Sequence, residues 1–222
     1  MVFIRKLPQD PIRPVRNGRP VNLVHPTHAL KPLVRRLQRL EKPCVLDLGS
    51  AEGSTLEFFT HCGCRVWVED LAVDLPQSEK PAKPTRVRRV RPGQTPPPLL
   101  AERYPDDRLF DVVVCWNLLD LMPVEAATAL VGEFRAHLRP EGMVWAFFDS
   151  VRLAPVEYRR RMRIRGEGSL DHVLQPDRTI VRFMHQNRDI QEMFEGFEVL
   201  SSTFLRVGLR EMLFRRLPEP AD

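Results

Sequence analysis

Short apolar runs alternate along the chain with longer segments whose apolar residues recur at helical spacing. The apolar runs predict buried strands over residues 44–48, 65–71, 110–115 and 142–148. Helical spacing predicts helices over residues 28–40, 54–62, 124–138 and 188–194. Two further runs around Gly208 predict an antiparallel hairpin over residues 197–205 and 209–216. This alternation predicts an α/β fold with a doubly wound, mostly parallel sheet, helices on both faces and an antiparallel C-terminal strand.

Three segments depart from this pattern. Residues 1–27 are rich in Pro and Arg and predict an extended basic arm ahead of one domain over residues 28–222. Residues 75–98 are rich in Pro and predict a loop, in which residues 85–90 fit a short edge strand. Residues 152–187 show no clean period over most of their length, which predicts an insertion or lid.

The net charge is +5, and the basic residues are unevenly distributed. They cluster in residues 5–19, 80–91 and 159–165. Such clusters fit an anionic partner, including nucleic acid, although charge runs also cover ordinary solvated surfaces. No apolar stretch approaches the ~20 residues that span a bilayer, and the N-terminal segment lacks the apolar core of a signal peptide. We therefore expect a cytoplasmic location and no membrane association.

The spacing of the four cysteines argues against a metal site. Cys44 and Cys115 fall in apolar strand-like runs, where a thiol packs as a small hydrophobic group. Cys62 and Cys64 lie beside His61, but they lack the usual C-x₂-C spacing and no second ligand pair accompanies them. We therefore expect no bound metal.

The most informative residues follow the first predicted strand, in the segment Asp47-Leu48-Gly49-Ser50-Ala51-Glu52-Gly53. An acid ends the apolar run, small residues come next, and a helix begins near Ser54. Because Gly49 and Gly53 carry no Cβ, a ligand can approach the backbone closely. The N–H groups at the start of the helix then face that ligand. The segment therefore predicts a ligand-binding turn.

This turn resembles the first motif of the class I S-adenosylmethionine-dependent methyltransferases, which runs Asp/Glu-x-Gly-x-Gly-x-Gly. Ala51 stands at the middle glycine, where it widens the turn slightly. Further features of that family follow in order: acids after the second strand, Phe110-Asp111-Val112-Val113-Val114, and Leu138-Arg139-Pro140-Glu141-Gly142 before the next strand. The resemblance covers residues 27–216 and implies a Rossmann-like fold with S-adenosylmethionine as the cofactor.

The resemblance implies a cofactor site formed by this turn and the ends of the neighbouring strands. Its residues are Asp47, Gly49, Ser50, Ala51, Gly53, Glu69, Asp70, Trp116 and Asn117. Asp47 would orient the turn and the ammonium group of the cofactor, and Glu69, or else Asp70, would accept both ribose hydroxyls. Trp116 and Asn117 would lie beside the reacting methyl group. Structural alternatives are a turn cap for Asp47, a core position for Trp116 and a helix cap for Asn117.

Methylation of a hydroxyl group requires a base near the methyl group. His185 is the first candidate base, and Asn117 is the second candidate catalytic residue. Asp120, Asp149 and His172 are further possibilities for the base, and a purely structural role also fits a single histidine. The segment 115–120 replaces the Asp/Asn-Pro-Pro-aromatic motif of amino-group methylases, which favours a small molecule or an oxygen nucleophile as the acceptor.

These residues lead to two functional hypotheses. The first is a methyltransferase whose acceptor, an anionic small molecule or RNA, binds to residues 152–187 as the substrate-side insertion. The second is a non-catalytic protein of the same fold that binds RNA or a protein partner through its basic surface. Ala51 and the absence of an acid after the third strand favour the second hypothesis. A nicotinamide-dependent dehydrogenase fits the sequence less well, because only Gly49 remains of the G-x-G-x-x-G pattern.

Overall fold

The computed structural model describes residues 21–74, 98–105, 107–150, 158–176, 182–205 and 208–218. The strands in these ranges are β1 (Val21–Pro26), β2 (Cys44–Asp47), β3 (Arg65–Val68), β4 (Phe110–Trp116), β5 (Leu138–Asp149), β6 (Tyr158–Gly166), β7 (Ser169–Pro176), β8 (Phe197–Leu205) and β9 (Leu209–Arg216). The helices are α1 (Leu30–Leu37), α2 (Gly53–His61), α3 (Leu71–Asp74), α4 (Val124–His137) and α5 (Asn187–Met193). A 3₁₀ turn covers Leu119–Leu121.

Among the described residues, six strands form the main sheet in the order β3-β2-β4-β5-β9-β8. The first four run parallel to one another, whereas β9 is antiparallel to both β5 and β8. All seven residues of β4 are buried, as expected for an apolar strand at the centre of a sheet. The chain passes from β2 to β3 on one side and continues at β4 on the other, so the strand order reverses between β2 and β4. The predicted doubly wound α/β fold is confirmed.

Apolar side chains cover both faces of the main sheet. On one face, α4 and α5 pack buried residues such as Phe134 and Ile190 against the strands. On the other face, α1 and α2 contribute residues such as Leu33 and Phe59. These two layers hold the strands in place and so fix the positions of the strand ends, where the predicted site residues lie.

A second sheet has the order β1-β7-β6, with both pairs antiparallel. The expectation of an aperiodic insertion over residues 152–187 is wrong for β6 and β7, which form a hairpin. Burial alternates from one residue to the next in β6, as expected for a strand. Met162 and Ile164 are buried, while the arginines that flank them are half-buried or exposed. Five arginines within residues 159–165 obscure this alternation in the sequence. β1 lies in the expected extended arm and pairs with β7 along its whole length.

Elsewhere the predicted elements differ mainly at their ends. β5 begins at Leu138 rather than at Gly142, because Leu138 pairs with Phe110 of β4 before the register shifts. The helix predicted to begin at residue 28 begins at Leu30. The basic arm over residues 1–20, most of the Pro-rich loop and the edge strand over residues 85–90 lie outside the described residues.

Gly142 lies in a crowded part of β5, where a Cβ would be 2.8 Å from the Arg139 carbonyl oxygen. We expect Gly142→Ala to lower the free energy of unfolding by about 1–3 kcal/mol, because backbone atoms would have to move. Gly132, inside α4, is the matched control, since a Cβ there meets nothing within 4 Å. Gly132→Ala should instead raise stability by up to about 1 kcal/mol through its helix propensity. Urea unfolding of both variants measures the difference, and equal stabilities would contradict the crowding.

Candidate active site

The carboxyl ends of β2, β3 and β4 bring three of the predicted site residues together. Asp47 ends β2, Trp116 ends β4, and Glu69 directly follows β3. The Leu48 N–H donates to the Val114 carbonyl oxygen at 2.9 Å, and the Glu69 N–H donates to the Asp47 carbonyl oxygen at 2.8 Å. These residues lie where the strand order reverses, which is the position at which open parallel sheets bind ligands.

Asp47 is fully buried, and one of its two carboxylate oxygens has no partner. Its Oδ1 accepts hydrogen bonds from the Gly49 N–H at 3.0 Å and from Trp116 Nε1 at 2.6 Å. Its Oδ2 contacts no hydrogen-bond donor among the described residues. Burial raises the pKa of Asp47 to about 6, and the negative charges of Asp70 and Glu52 add to this rise. A buried oxygen without a partner indicates room for a donor that a ligand supplies.

The indole ring of Trp116 lies directly over the glycine turn. A Cβ on Gly49 would lie 2.5 Å from Trp116 Cδ1 and 2.6 Å from Nε1, so a side chain at residue 49 would displace the ring. Trp116 has a φ of +52°, a conformation that is rare for bulky residues and concentrates at functional sites. Its ring stacks on Phe147 with the centroids 6.1 Å apart. Gly49 is therefore required by the packing of the protein itself.

Glu69 is held by two residues that the sequence analysis did not identify. The Tyr104 hydroxyl donates to Glu69 Oε1 at 2.9 Å, and Arg103 Nη1 donates to Oε2 at 2.7 Å. Burial raises the pKa of the Tyr104 hydroxyl, and its hydrogen bond to Glu69 adds to the rise. Both residues come just after the Pro-rich segment, where no periodic pattern marks them.

The other predicted site residues of the turn and of the end of β3 are at least partly exposed. Ala51 and Gly53 are exposed, whereas Ser50 and Asp70 are half-buried. A Cβ on Gly53 would meet nothing within 4 Å, so the start of α2 is open to a ligand. The turn therefore has one face closed by an indole ring and one face open.

The β6–β7 hairpin docks onto this turn. Glu52, which precedes α2, pairs with Arg161 at 3.7 Å and with Arg163 at 4.0 Å. The Ile164 N–H donates to Thr55 Oγ1 at 3.0 Å. The hairpin thus covers the turn from the side of α2 and limits the directions from which a ligand can enter.

A second group of polar residues lies at the ends of β4 and β5. Arg160 Nη1 and Arg182 Nη1 bind the two carboxylate oxygens of Asp149 at 2.6 and 2.9 Å. Asp120 is fully buried, and its Oδ2 accepts the Asp149 N–H at 2.6 Å. Arg182 also donates to Asn117 at 2.9 Å in the amide orientation that satisfies both side chains. We call Asp120, Asp149, Arg160 and Arg182 the arginine–aspartate cluster.

Burial changes the acidity of the arginine–aspartate cluster. It raises the pKa of Asp120 well above its usual range, and the nearby Asp149 carboxylate adds to that rise. It lowers the pKa of Arg160, and the positive charge of Arg182 adds to that fall. Asp120 Oδ1 and the Nε atoms of both arginines have no hydrogen-bond partner among the described residues.

The two candidate histidines occupy different places. His185 Nε2 lies 3.0 Å from the Leu119 carbonyl oxygen, to which it must donate, so this bond ties His185 to the 3₁₀ turn. His172 of β7 is buried, and neither of its ring nitrogens has a partner among the described residues. Burial lowers the pKa of His172 to about 3, and the positive charge of Arg160 adds to that fall, so its ring is neutral at pH 7.

Within the described ranges, no group of three or more His, Cys, Asp or Glu residues is arranged to hold a metal ion. All four cysteines are free thiols. Burial raises the pKa of the Cys64 thiol to about 12, and it also raises that of Cys115. These two thiols therefore stay protonated and act as apolar side chains.

The reversed strand order and the glycine turn are the features with which open α/β sheets bind ligands at the ends of their parallel strands. A family model described as a methyltransferase domain matches residues 24–202. The match covers most of the chain, and the chain therefore belongs to this family. It is an S-adenosylmethionine-dependent methyltransferase, with S-adenosylmethionine as its cofactor. No curated protein matches the sequence.

Solved structures with a similar fold are distant in sequence. The 1,6-didemethyltoxoflavin-N1-methyltransferase of Burkholderia thailandensis, with 1,6-didemethyltoxoflavin and S-adenosylhomocysteine bound, is 20% identical over 86% of this chain and 79% of its own, with a TM-score of 0.47. Magnesium protoporphyrin IX methyltransferase from Synechocystis PCC 6803, with bound S-adenosylmethionine, is 15% identical over 85% of this chain and 78% of its own, with a TM-score of 0.47. A methyltransferase from Methanosarcina mazei is 12% identical over 85% and 98%, with a TM-score of 0.48.

No helix in the described ranges is long and apolar enough to cross a membrane. The longest of these helices is α4, with 14 residues. About 20 apolar residues are needed for a helix to span a bilayer.

The contact between Gly49 and Trp116 can be measured as an energetic coupling. Gly49→Ala should lower the free energy of unfolding by about 1–3 kcal/mol, because its Cβ would displace the indole ring. In a Trp116→Ala background the same change should cost much less, since the ring is gone. Gly53→Ala is the control and should change stability by less than about 0.5 kcal/mol. Chemical unfolding of the five proteins gives the coupling, and an equal cost of Gly49→Ala in both backgrounds would refute the contact.

Proposed function

We propose that the chain transfers a methyl group from S-adenosylmethionine to a small anionic acceptor molecule. The proposal rests on one observation. Two consecutive residues, Trp116 and Asn117, contact two different polar sites at the same edge of the sheet. Trp116 donates a hydrogen bond to Asp47 of the glycine turn. The next residue, Asn117, binds Arg182 of the arginine–aspartate cluster. A cofactor on the turn and an acceptor at the cluster would therefore meet at the end of β4.

The residues of the turn fit the polar groups of S-adenosylmethionine. Asp47 Oδ2, which has no partner within the described ranges, is an acceptor for the ammonium group. Glu69 can accept ribose hydroxyls in addition to its bonds from Tyr104 and Arg103, because each carboxylate oxygen accepts more than one bond. Trp116 lies over Gly49 and determines how much room the cofactor has there.

The protein's part in the reaction is mainly one of positioning. The cofactor supplies a methyl group on a sulfonium, which transfers by in-line displacement. The buried ends of β4 and β5 exclude water and hold the acceptor. If His185 acts as the base, it must accept the proton on Nδ1, since Nε2 donates to Leu119.

The arginines of β6 favour a small acceptor over RNA. Arg163 and Arg165 pair with Asp171 at 3.1 and 3.6 Å, and Arg160 is buried against Asp149. These residues therefore form ion pairs within the protein instead of an uninterrupted basic surface for phosphates. The other two basic clusters of the sequence lie mostly outside the described residues. The family match gives no support to a non-catalytic protein.

A cytoplasmic location is part of the same proposal. All four cysteines are free thiols. Disulfides are rare where glutathione and thioredoxin keep thiols reduced, so this state agrees with a reducing compartment.

Titration calorimetry with S-adenosylhomocysteine tests the cofactor site. The wild-type protein should bind it with a micromolar Kd, and Gly49→Arg should abolish binding because its side chain fills the turn. Gly132→Arg adds the same side chain on α4, where a Cβ meets nothing within 4 Å, and should bind normally. Circular dichroism confirms that each variant is folded. A folded wild-type protein that does not bind would contradict the proposed function.

The affinity for S-adenosylhomocysteine should depend on pH through Asp47. Its pKa is raised to about 6, so the carboxylate that binds the ammonium group is present above pH 6 and is lost below it. Affinity should be constant from pH 7 to 8 and should fall about tenfold per pH unit below 6. Asp47→Asn should bind more weakly and lack this dependence. Calorimetry at several pH values measures both, and equal affinity of the wild-type protein at pH 5 and 7.5 would exclude this role.

A further inference from the structure

The arginine–aspartate cluster holds more positive than negative charge. Arg160 and Arg182 both bind the same carboxylate, that of Asp149. The second acid, Asp120, has an Oδ2 that accepts a backbone N–H and an Oδ1 without a partner. The burial of Asp120 and the nearby Asp149 favour its neutral form. Among the described residues, two guanidinium groups therefore share one carboxylate, because Asp120 forms no ion pair with either arginine.

This excess charge is buried. The side chains of Arg160 and Arg182 are 4% and 10% exposed, and that of Asp149 is 6% exposed. A buried charge without a counter-ion is costly, so such sites usually acquire one from a ligand or a neighbouring residue. Among the described residues, both arginines also keep an Nε–H group without an acceptor. This part of the structure therefore offers room in the hydrogen bonding of the cluster for a further anion.

His172 provides a second, independent observation. It is 1% exposed, and neither of its ring nitrogens has a hydrogen-bond partner in the described part of the chain. His172 pairs with Met162 and Arg160 pairs with Leu174, so His172 and Arg160 lie on the same face of the β6–β7 hairpin. A neutral imidazole has one donor and one acceptor, and leaving both unused in the interior is unfavourable. A polar ligand at the cluster would satisfy the histidine as well.

One member of the cluster, Asp149, borders a pocket beside the ends of β4 and β5. This pocket of about 440 Å³ is also bordered by Ser150 and His185. Arg182 connects this region to Asn117, the residue that follows Trp116. A ligand bound here would thus lie at the end of β4, next to the proposed cofactor site.

We propose that Arg160 and Arg182 bind a carboxylate group of the methyl acceptor, which shares the two guanidinium groups with Asp149. The inference rests on the proposed methyl transfer, because it assigns the acceptor of that reaction to a chemical class. A carboxylate is planar and matches the donor fork of a guanidinium. Its single negative charge equals the excess charge of the cluster, whereas a phosphate dianion would leave a negative charge buried. The acceptor of this proposal is therefore a carboxylic acid.

Thermal unfolding with small carboxylates tests the subsite directly. Acetate, benzoate and 3-phenylpropionate serve as probes at constant ionic strength, with inorganic phosphate for comparison. At least one carboxylate at several times its Kd should raise the Tm of the wild-type protein by about 2–4 °C in a saturable way. Phosphate should raise it less. No saturable shift with any carboxylate, or a larger shift with phosphate, would overturn the proposal.

Three variants distinguish a cluster that binds a ligand from a network of ion pairs whose charges already balance. Arg182→Met should lose the carboxylate shift and keep its Tm within about 3 °C, because it removes the excess charge. Asp149→Asn should lower the Tm by about 10 °C, since both arginines lose their counter-ion. Arg35→Met changes an exposed arginine of α1 and should keep the shift. A loss of Tm in Arg182→Met as large as that in Asp149→Asn would show a balanced network and exclude the subsite.

The binding of S-adenosylhomocysteine distinguishes this inference from the proposed function. Arg182→Met should bind S-adenosylhomocysteine with unchanged affinity, because Arg182 contacts Asp149 and Asn117 rather than the glycine turn. If carboxylates fail to stabilise a wild-type protein that does bind S-adenosylhomocysteine, the carboxylate subsite is wrong and methyl transfer stands. If neither ligand binds, both proposals are wrong.

Discussion

The buried carboxylate of Asp47 is the interaction on which the rest of the site depends. One oxygen accepts two hydrogen bonds, one from the glycine turn and one from the last residue of β4. Without it, the Gly49 N–H and the Trp116 indole N–H would each lose a buried partner, at a cost of about 1–3 kcal/mol apiece. The carboxylate thus connects β2 and β4. These strands are separated in the sequence by β3 but lie side by side in the sheet, where the strand order reverses.

The two sheets contribute differently to the site. The main sheet supplies the strand ends that carry Asp47, Glu69 and Asp149. The smaller sheet covers them, with β6 docked on α2 through Thr55 and Ile164. Arginines of the smaller sheet form ion pairs with acids of the main sheet and of the glycine turn. The pair of Arg160 and Asp149 is one example. Electrostatic pairing between the layers therefore replaces part of the apolar packing at this edge.

Much of the fold could be predicted from local patterns, because each strand or helix gives its apolar residues a characteristic spacing along the sequence. The order from Cys44 to Gly53 is a case in which burial, turn and helix start can all be read from neighbouring residues. The arginine–aspartate cluster could not be predicted in this way, since its members come from separate segments and meet only through tertiary packing. The contact of Tyr104 with Glu69 was missed for the same reason.

The sequence also did not predict β6, because a run of arginines obscured the alternation typical of a strand. The alternation of Met162 and Ile164 with arginines is a strand signal, but the arginine run was interpreted only as charge. The partners of Arg160, Arg161 and Arg163 are acids from other elements, which nothing in the local sequence indicates. A charge run can thus belong to a strand when acids elsewhere in the chain pair with its charges.

The smaller sheet also has a consequence for folding. β6 and β7 are joined by a tight connection and can pair as soon as both are made. β1 completes the sheet by pairing with β7, which lies on the order of 150 residues further along the chain. During synthesis β1 therefore leaves the ribosome long before its partner exists, and its hydrogen-bonding edge stays unsatisfied by the chain until most of the main sheet has been made. The sheet that covers the site is thus closed late in folding, by the described strand that is synthesised first.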